Sequence, residues 1–149
     1  MTAQPQSEVR LATPTTEEYI EVQQFYARHM GLLDDGLAEQ WAQTFTEDAR
    51  FEEPSRMEPL HSRHEIQVSA RARADRVAAS GEQYRHWVGM LDVGARPDGA
   101  LQVRYYALVL ATPRDGKPRI VSSVDCCDLL VRENGRLLVR HRLLRVDGA

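Results

Sequence analysis

The residue of this sequence best suited to moving a proton is a histidine in a strand-like run. Across Tyr84–Leu91, alternation puts Tyr84, His86, Val88 and Met90 on one face and Arg85, Trp87, Gly89 and Leu91 on the other. An imidazole on such an apolar face is either a satisfied core residue or an inward acid/base, able to accept and return a proton near neutral pH. Asp34 lies where one helical run stops and the next begins, as a turn or capping residue or as a pocket carboxylate. Asp35 is the better cap for the second helix. His29, one turn before Leu33 on an apolar helical stripe, reads as packing or as a second pocket histidine. Tyr106 shares a face with Arg104, Leu108 and Leu110. Its phenol either fills the interior or donates to a carbonyl or enolate oxygen. Asp125 shares a face with Cys127, and Cys126 shares the other with Asp128; alternation leaves open which face points inward.

Other chemistries find little support. Cys126 and Cys127 are adjacent, and neighbouring Cα atoms lie about 3.8 Å apart, closer than the usual disulfide span. Reduced thiols in a cytoplasmic protein are expected, with no metal site and no His partner to activate a thiol nucleophile. No phosphate-binding glycine loop, HExxH, CxxC or GxSxG occurs. The basic residues His61, Arg63, His64, Arg71, Arg73 and Arg76 read as the solvated side of a helix, and Arg140, His141, Arg142 and Arg145 as alternating polar positions of a last strand.

The elements that must position these residues can be read from spacing. Residues 1–14 read as a flexible arm, and 15–149 as one domain. Thr15 and Glu18 have capping-box spacing, and Val22, Phe25, Tyr26, His29, Met30 and Leu33 mark one face of a first helix. Gly36 suits a left-handed stop. Leu37, Trp41 and Phe45 predict a second helix, and a short strand is expected around Arg50 to Glu53. Pro54 and Pro59 bracket a loop. Ser62 and Glu65 form a second capping box, and Ile66, Ala70, Ala74 and Val77 stripe a third helix closed by Gly81. Strands are predicted over 83–93, 101–111, 119–132 and 136–146, the last two joined by Asn134-Gly135. Helices segregated from antiparallel strands argue an α+β fold.

The 149 residues include 42% hydrophobic and 28% charged positions, ordinary for a globular domain. Nineteen basic against 22 acidic residues leave a charge of −3, no global attraction for nucleic acid. No apolar run nears the roughly 20 residues that span a bilayer, and the first 15 residues lack the apolar centre of a signal peptide.

Two segments carry a resemblance to a known family. FYARHMGLLDDGLAEQWAQTFTEDARFEEP (25–54) and YRHWVGML (84–91), with the continuation SSVDCCDLLVRENGRLLVRHRLLRVD (122–147), resemble the SnoaL-like branch of the NTF2-like superfamily. The resemblance spans roughly residues 16–147. It implies a cone: a curved antiparallel sheet with three helices over one face, enclosing a pocket. By similarity to scytalone dehydratases, Asp34 and His86 form the catalytic pair, with Tyr106 at the place of a second histidine. His29, Tyr106 and Asp125 are secondary catalytic or pocket candidates, and Tyr26, Trp41, Val88 and Met90 are expected to line the pocket. The resemblance implies cofactor-independent acid/base chemistry (cyclisation, dehydration or isomerisation) on a hydrophobic, oxygenated, polyketide-like molecule. The alternative it admits is a non-catalytic ligand-binding or scaffolding subunit like a ring-hydroxylating dioxygenase small subunit. Epoxide hydrolysis would need an Asp-Arg-Asp set that finds no place here. Trp87 and Leu91, opposite His86, are expected on the outer sheet face, where the superfamily pairs subunits as homodimers.

Overall fold

Thr15 starts the first helix through a reciprocal cap: its side chain accepts from the Glu18 N–H, and the Glu18 carboxylate accepts from the Thr15 N–H. The computed structural model describes residues 10–54 and 58–149, so much of the arm expected at 1–14 lies outside the described residues. Helix α1 (Thr16–Asp34) leads into a single turn, α2 (Ala38–Ala42), then β1 (Phe45–Glu52) and β2 (Leu60–His61). Helix α3 (Arg63–Ser80) is followed by β3 (Gln83–Ala95), β4 (Leu101–Thr112), β5 (Arg119–Glu133) and β6 (Arg136–Val146).

The second helix is shorter than its i, i+4 apolar spacing suggests, because Phe45 belongs to β1 and is fully buried there. The β1 strand therefore starts five residues before Arg50. The two-residue β2 forms inside the expected loop by pairing with Arg50 and Phe51. Ser62 caps α3 by accepting from the Glu65 N–H, whereas the Glu65 carboxylate reaches the His61 N–H, one residue earlier than a capping box requires. Gly81 closes α3 at φ 71°.

The strands form one curved sheet in the order β2-β1-β6-β5-β4-β3, antiparallel except where β1 runs parallel to β6. This is the expected α+β cone. Its concave face carries Val103, Tyr105, Val124, Cys126, Leu130 and Val139, packed against Val22, Met30, Trp41 and Ile66 of the helices. Ahead of α1, Ala12 bridges to Ala95, and Leu11 covers Gly94 so closely that a Cβ there would lie 2.7 Å from Leu11 Cδ1. No helix among the described residues is long and apolar enough to cross a membrane.

Candidate active site

Asp34 closes α1 and His86 lies near the start of β3, 52 positions away, yet the two side chains meet. His86 Nδ1 lies 2.5 Å from Asp34 Oδ1, and the His86 backbone N–H donates to Asp34 Oδ2 at 3.0 Å. One carboxylate thus holds both the ring and the backbone of the histidine, which fixes the imidazole about χ1 and χ2. Both side chains are largely shielded, 12% exposed for His86 and 8% for Asp34. With Asp34 ionised, Nδ1 carries the proton, and Nε2 is left as a lone-pair acceptor with no partner among the described residues.

His86 borders a cavity of about 200 Å³ between the sheet and the helices. Its wall is mainly apolar: Met30, Leu33, Phe51, Ile66 and Val109, with Trp41 as expected. Polar groups are few. Trp41 Nε1 is buried without a hydrogen-bond partner among the described residues. Arg73, Glu53, Ser69, Tyr105 and Arg142 also border it.

Beside the cavity lies a buried charge cluster. Asp128 accepts from Arg142 Nε at 2.9 Å and Nη2 at 2.8 Å, from the Tyr26 hydroxyl at 2.8 Å and from the Tyr105 hydroxyl at 3.0 Å. Burial alone would lower the Arg142 pKa, but the Asp128 carboxylate more than offsets it and raises the value. Burial, reinforced by the negative charge of Asp128, pushes both tyrosines well above the ordinary phenol range. The planar guanidinium also lies over the Phe45 and Phe51 rings. His29 joins this cluster. Its Nε2 lies 2.9 Å from Arg142 Nη2, which can only donate, so Nδ1 carries the hydrogen toward Thr44 Oγ1 at 2.6 Å. Burial, with the positive charge of Arg142 added, pulls the His29 pKa well below the usual value, so the ring is neutral. His29 is packing and support, away from the cavity wall.

Several expected site residues lie elsewhere. Tyr106 faces outward, 48% exposed, because Tyr105 takes the inward position of β4. Asp125 is also on the outer face, its pKa lowered by hydrogen bonds from Arg104 at 3.0 Å. The inward face of β5 is the one with Cys126 and Asp128. Tyr26 is buried, but its hydroxyl serves Asp128 rather than the cavity. Val88 packs on the core without bordering the cavity. Met90 is 78% exposed: a bulge between Gly89 and Asp92 adds one residue to β3, with Met90 at φ 57°, and reverses the alternation. The same bulge turns Leu91 inward against the core, so it does not share the outer face with Trp87.

Two residues read as polar surface belong to the interior. Arg142 is 3% exposed. Arg73 borders the cavity, and its place one heptad after Ile66 on α3 is the signal that could have revealed it. Among the described residues no group of three or more His, Cys, Asp or Glu side chains could hold a metal ion.

The chain matches the SnoaL-like domain model over residues 14–143, and it belongs to that family. Among solved structures it is similar to Aln2 from a Streptomyces species, with 35% identity and a TM-score of 0.85, covering 91% of this chain and 95% of that one. ActVI-ORFA from Streptomyces coelicolor gives 34% identity and a TM-score of 0.82, covering 90% and 100%. A Catenulispora acidiphila protein in complex with S-DNPA gives 37% identity and a TM-score of 0.79, covering 89% and 96%. No curated protein sequence matches significantly.

Proposed function

We propose that this protein is an acid/base enzyme that removes a proton next to a carbonyl of a hydrophobic, oxygenated small molecule, leading to ring closure, loss of water or a double-bond shift. The carrying observation is the 2.5 Å Asp34–His86 pair at the wall of a largely apolar cavity. His86 Nε2 takes the proton, and the imidazolium that forms is stabilised by Asp34, which acts as the positioning residue. The same Nε2–H then returns the proton to a neighbouring carbon or a leaving hydroxyl. No step of this chemistry calls for a cofactor. Family membership and the S-DNPA complex of the Catenulispora relative support a ligand-binding cavity. A scaffolding subunit would need neither the cavity nor the pair. A polyketide-like substrate is what the likeness to the SnoaL-like family implies.

The outer sheet face supports self-association. Trp87 is 69% exposed and lies beside Leu108, its partner in the β3–β4 register, and Tyr106, all in an apolar patch of the kind that marks interfaces.

The test is a panel of aryl ketones followed by NMR for deuterium exchange at the α-carbon. His86→Gln should reduce exchange by about 10²–10⁴-fold while the ketones still bind. Exchange unaffected in this variant would remove His86 as the base.

A further inference from the structure

Arginines in this protein follow a consistent rule with one exception. Those shielded from solvent, Arg142, Arg96 and Arg63, each have a carboxylate within 4.0 Å, while those without one are exposed. Arg73 alone among the described residues is half-buried and has no ion pair or hydrogen bond. Its contact is a cation–π approach to Tyr84, 5.3 Å from the ring centroid. Burial lowers its pKa against the attraction of Tyr84 and Asp34. The Asp34 oxygens, however, are occupied by His86. A shielded cation without a hydrogen-bonded counter-charge is costly, and that cost falls when an anion arrives. Arg73 borders the same cavity as His86, where the other cation of the inner wall, Arg142, is already matched by Asp128.

We infer that Arg73 is the specificity residue of the cavity and binds a carboxylate, so that the substrate is an apolar keto acid. The ketone rests on the acid/base reading above; the carboxylate does not. A guanidinium holds a carboxylate through two parallel N–H donors, leaving the apolar body of the ligand among Met30, Leu33 and Phe51.

The probes are 2-naphthylacetic acid and its neutral isostere 2-naphthylacetamide, titrated by calorimetry at pH 7. Wild-type protein should bind the acid about 10-fold or more tightly than the amide, as a charge-assisted hydrogen bond predicts. Arg73→Met should bring the acid down to the amide's affinity and leave the amide unchanged. Arg73→Lys should retain part of the preference, and it serves as the readout should the methionine variant fail to fold. Equal binding of the two probes by wild type, a preference surviving in Arg73→Met, or no binding of either at millimolar concentration would each overturn the inference. His86→Gln keeps the acid preference in this scheme. Ketone exchange unaffected in His86→Gln, with the Arg73 preference intact, would therefore count against the acid/base reading alone.

Discussion

Replacing Asp128 by Asn tests whether the buried charge cluster holds the cavity in shape. Asn is nearly isosteric, so the change is electrostatic. Asp128 Oδ2 receives three donors and Oδ1 receives one, Arg142 Nε. The amide NH₂ fits best at the Oδ1 position, where it faces that guanidinium donor and loses the bond. The larger loss is the counter-charge: Arg142, 3% exposed, becomes an uncompensated buried cation. Breaking a buried pair from one side costs about 3–5 kcal/mol. With a urea slope of about 2 kcal/mol/M, the midpoint should fall by about 1.5–2.5 M. The control is Asp125→Asn, which breaks the half-exposed Arg104 pair on the outer face and should cost less than about 1 kcal/mol. Urea denaturation followed by tryptophan fluorescence and far-UV circular dichroism measures both. Equal losses in the two variants would refute the argument, because burial would then have made no difference. The double change Asp128→Leu with Arg142→Met should recover part of the loss, since no charge is left stranded.

Three further outcomes are expected. Because the His29 pKa is depressed in the fold, the unfolded chain takes up a proton below about pH 6.5 that the native state refuses, so stability falls as pH falls. Urea melts at pH 7, 6 and 5 should show that decline approaching about 1.4 kcal/mol per pH unit and a flatter one in His29→Gln; parallel lines would exclude His29 as the source. Cys127 is exposed, whereas burial and the Asp128 charge push the Cys126 thiol up to about 12, so a disulfide reagent at pH 8 should label one thiol per native chain and two after unfolding. Trp87→Glu should convert a dimer to a monomer by light scattering, and a wild-type protein already monomeric at high concentration would rule out pairing through that face.

Local signals carried much of the fold. The Thr15 cap, the Gly81 stop, the Asn134-Gly135 turn and the alternation of β3 to β6 act over a few residues, and each element formed close to its expected place. The boundary of α2 was not legible, because Phe45 fits the end of an apolar helical stripe as well as the start of a buried strand. The decision falls to its burial beside β6.

Within the strands, alternation says which residues share a face and is silent on which face is inside. Tyr105 rather than Tyr106, and Asp128 rather than Asp125, were chosen by packing of the sheet on the helices. Bulges then overrode even the alternation. The Glu133–Arg136 register set by the Asn-Gly turn, continued five residues along each strand, would put His141 opposite Asp128. The irregularity between Leu129 and Leu130 shifts it, so that Arg142 stands there and becomes the buried partner. The sequence alone determined the residue types, the elements and the family likeness that brought Asp34 and His86 together as candidates. Their contact across 52 positions, the inward turn of Arg73 and Arg142 and the open cavity were decided by tertiary packing. Such contacts depend on which surfaces meet, and no local preference of the chain encodes that.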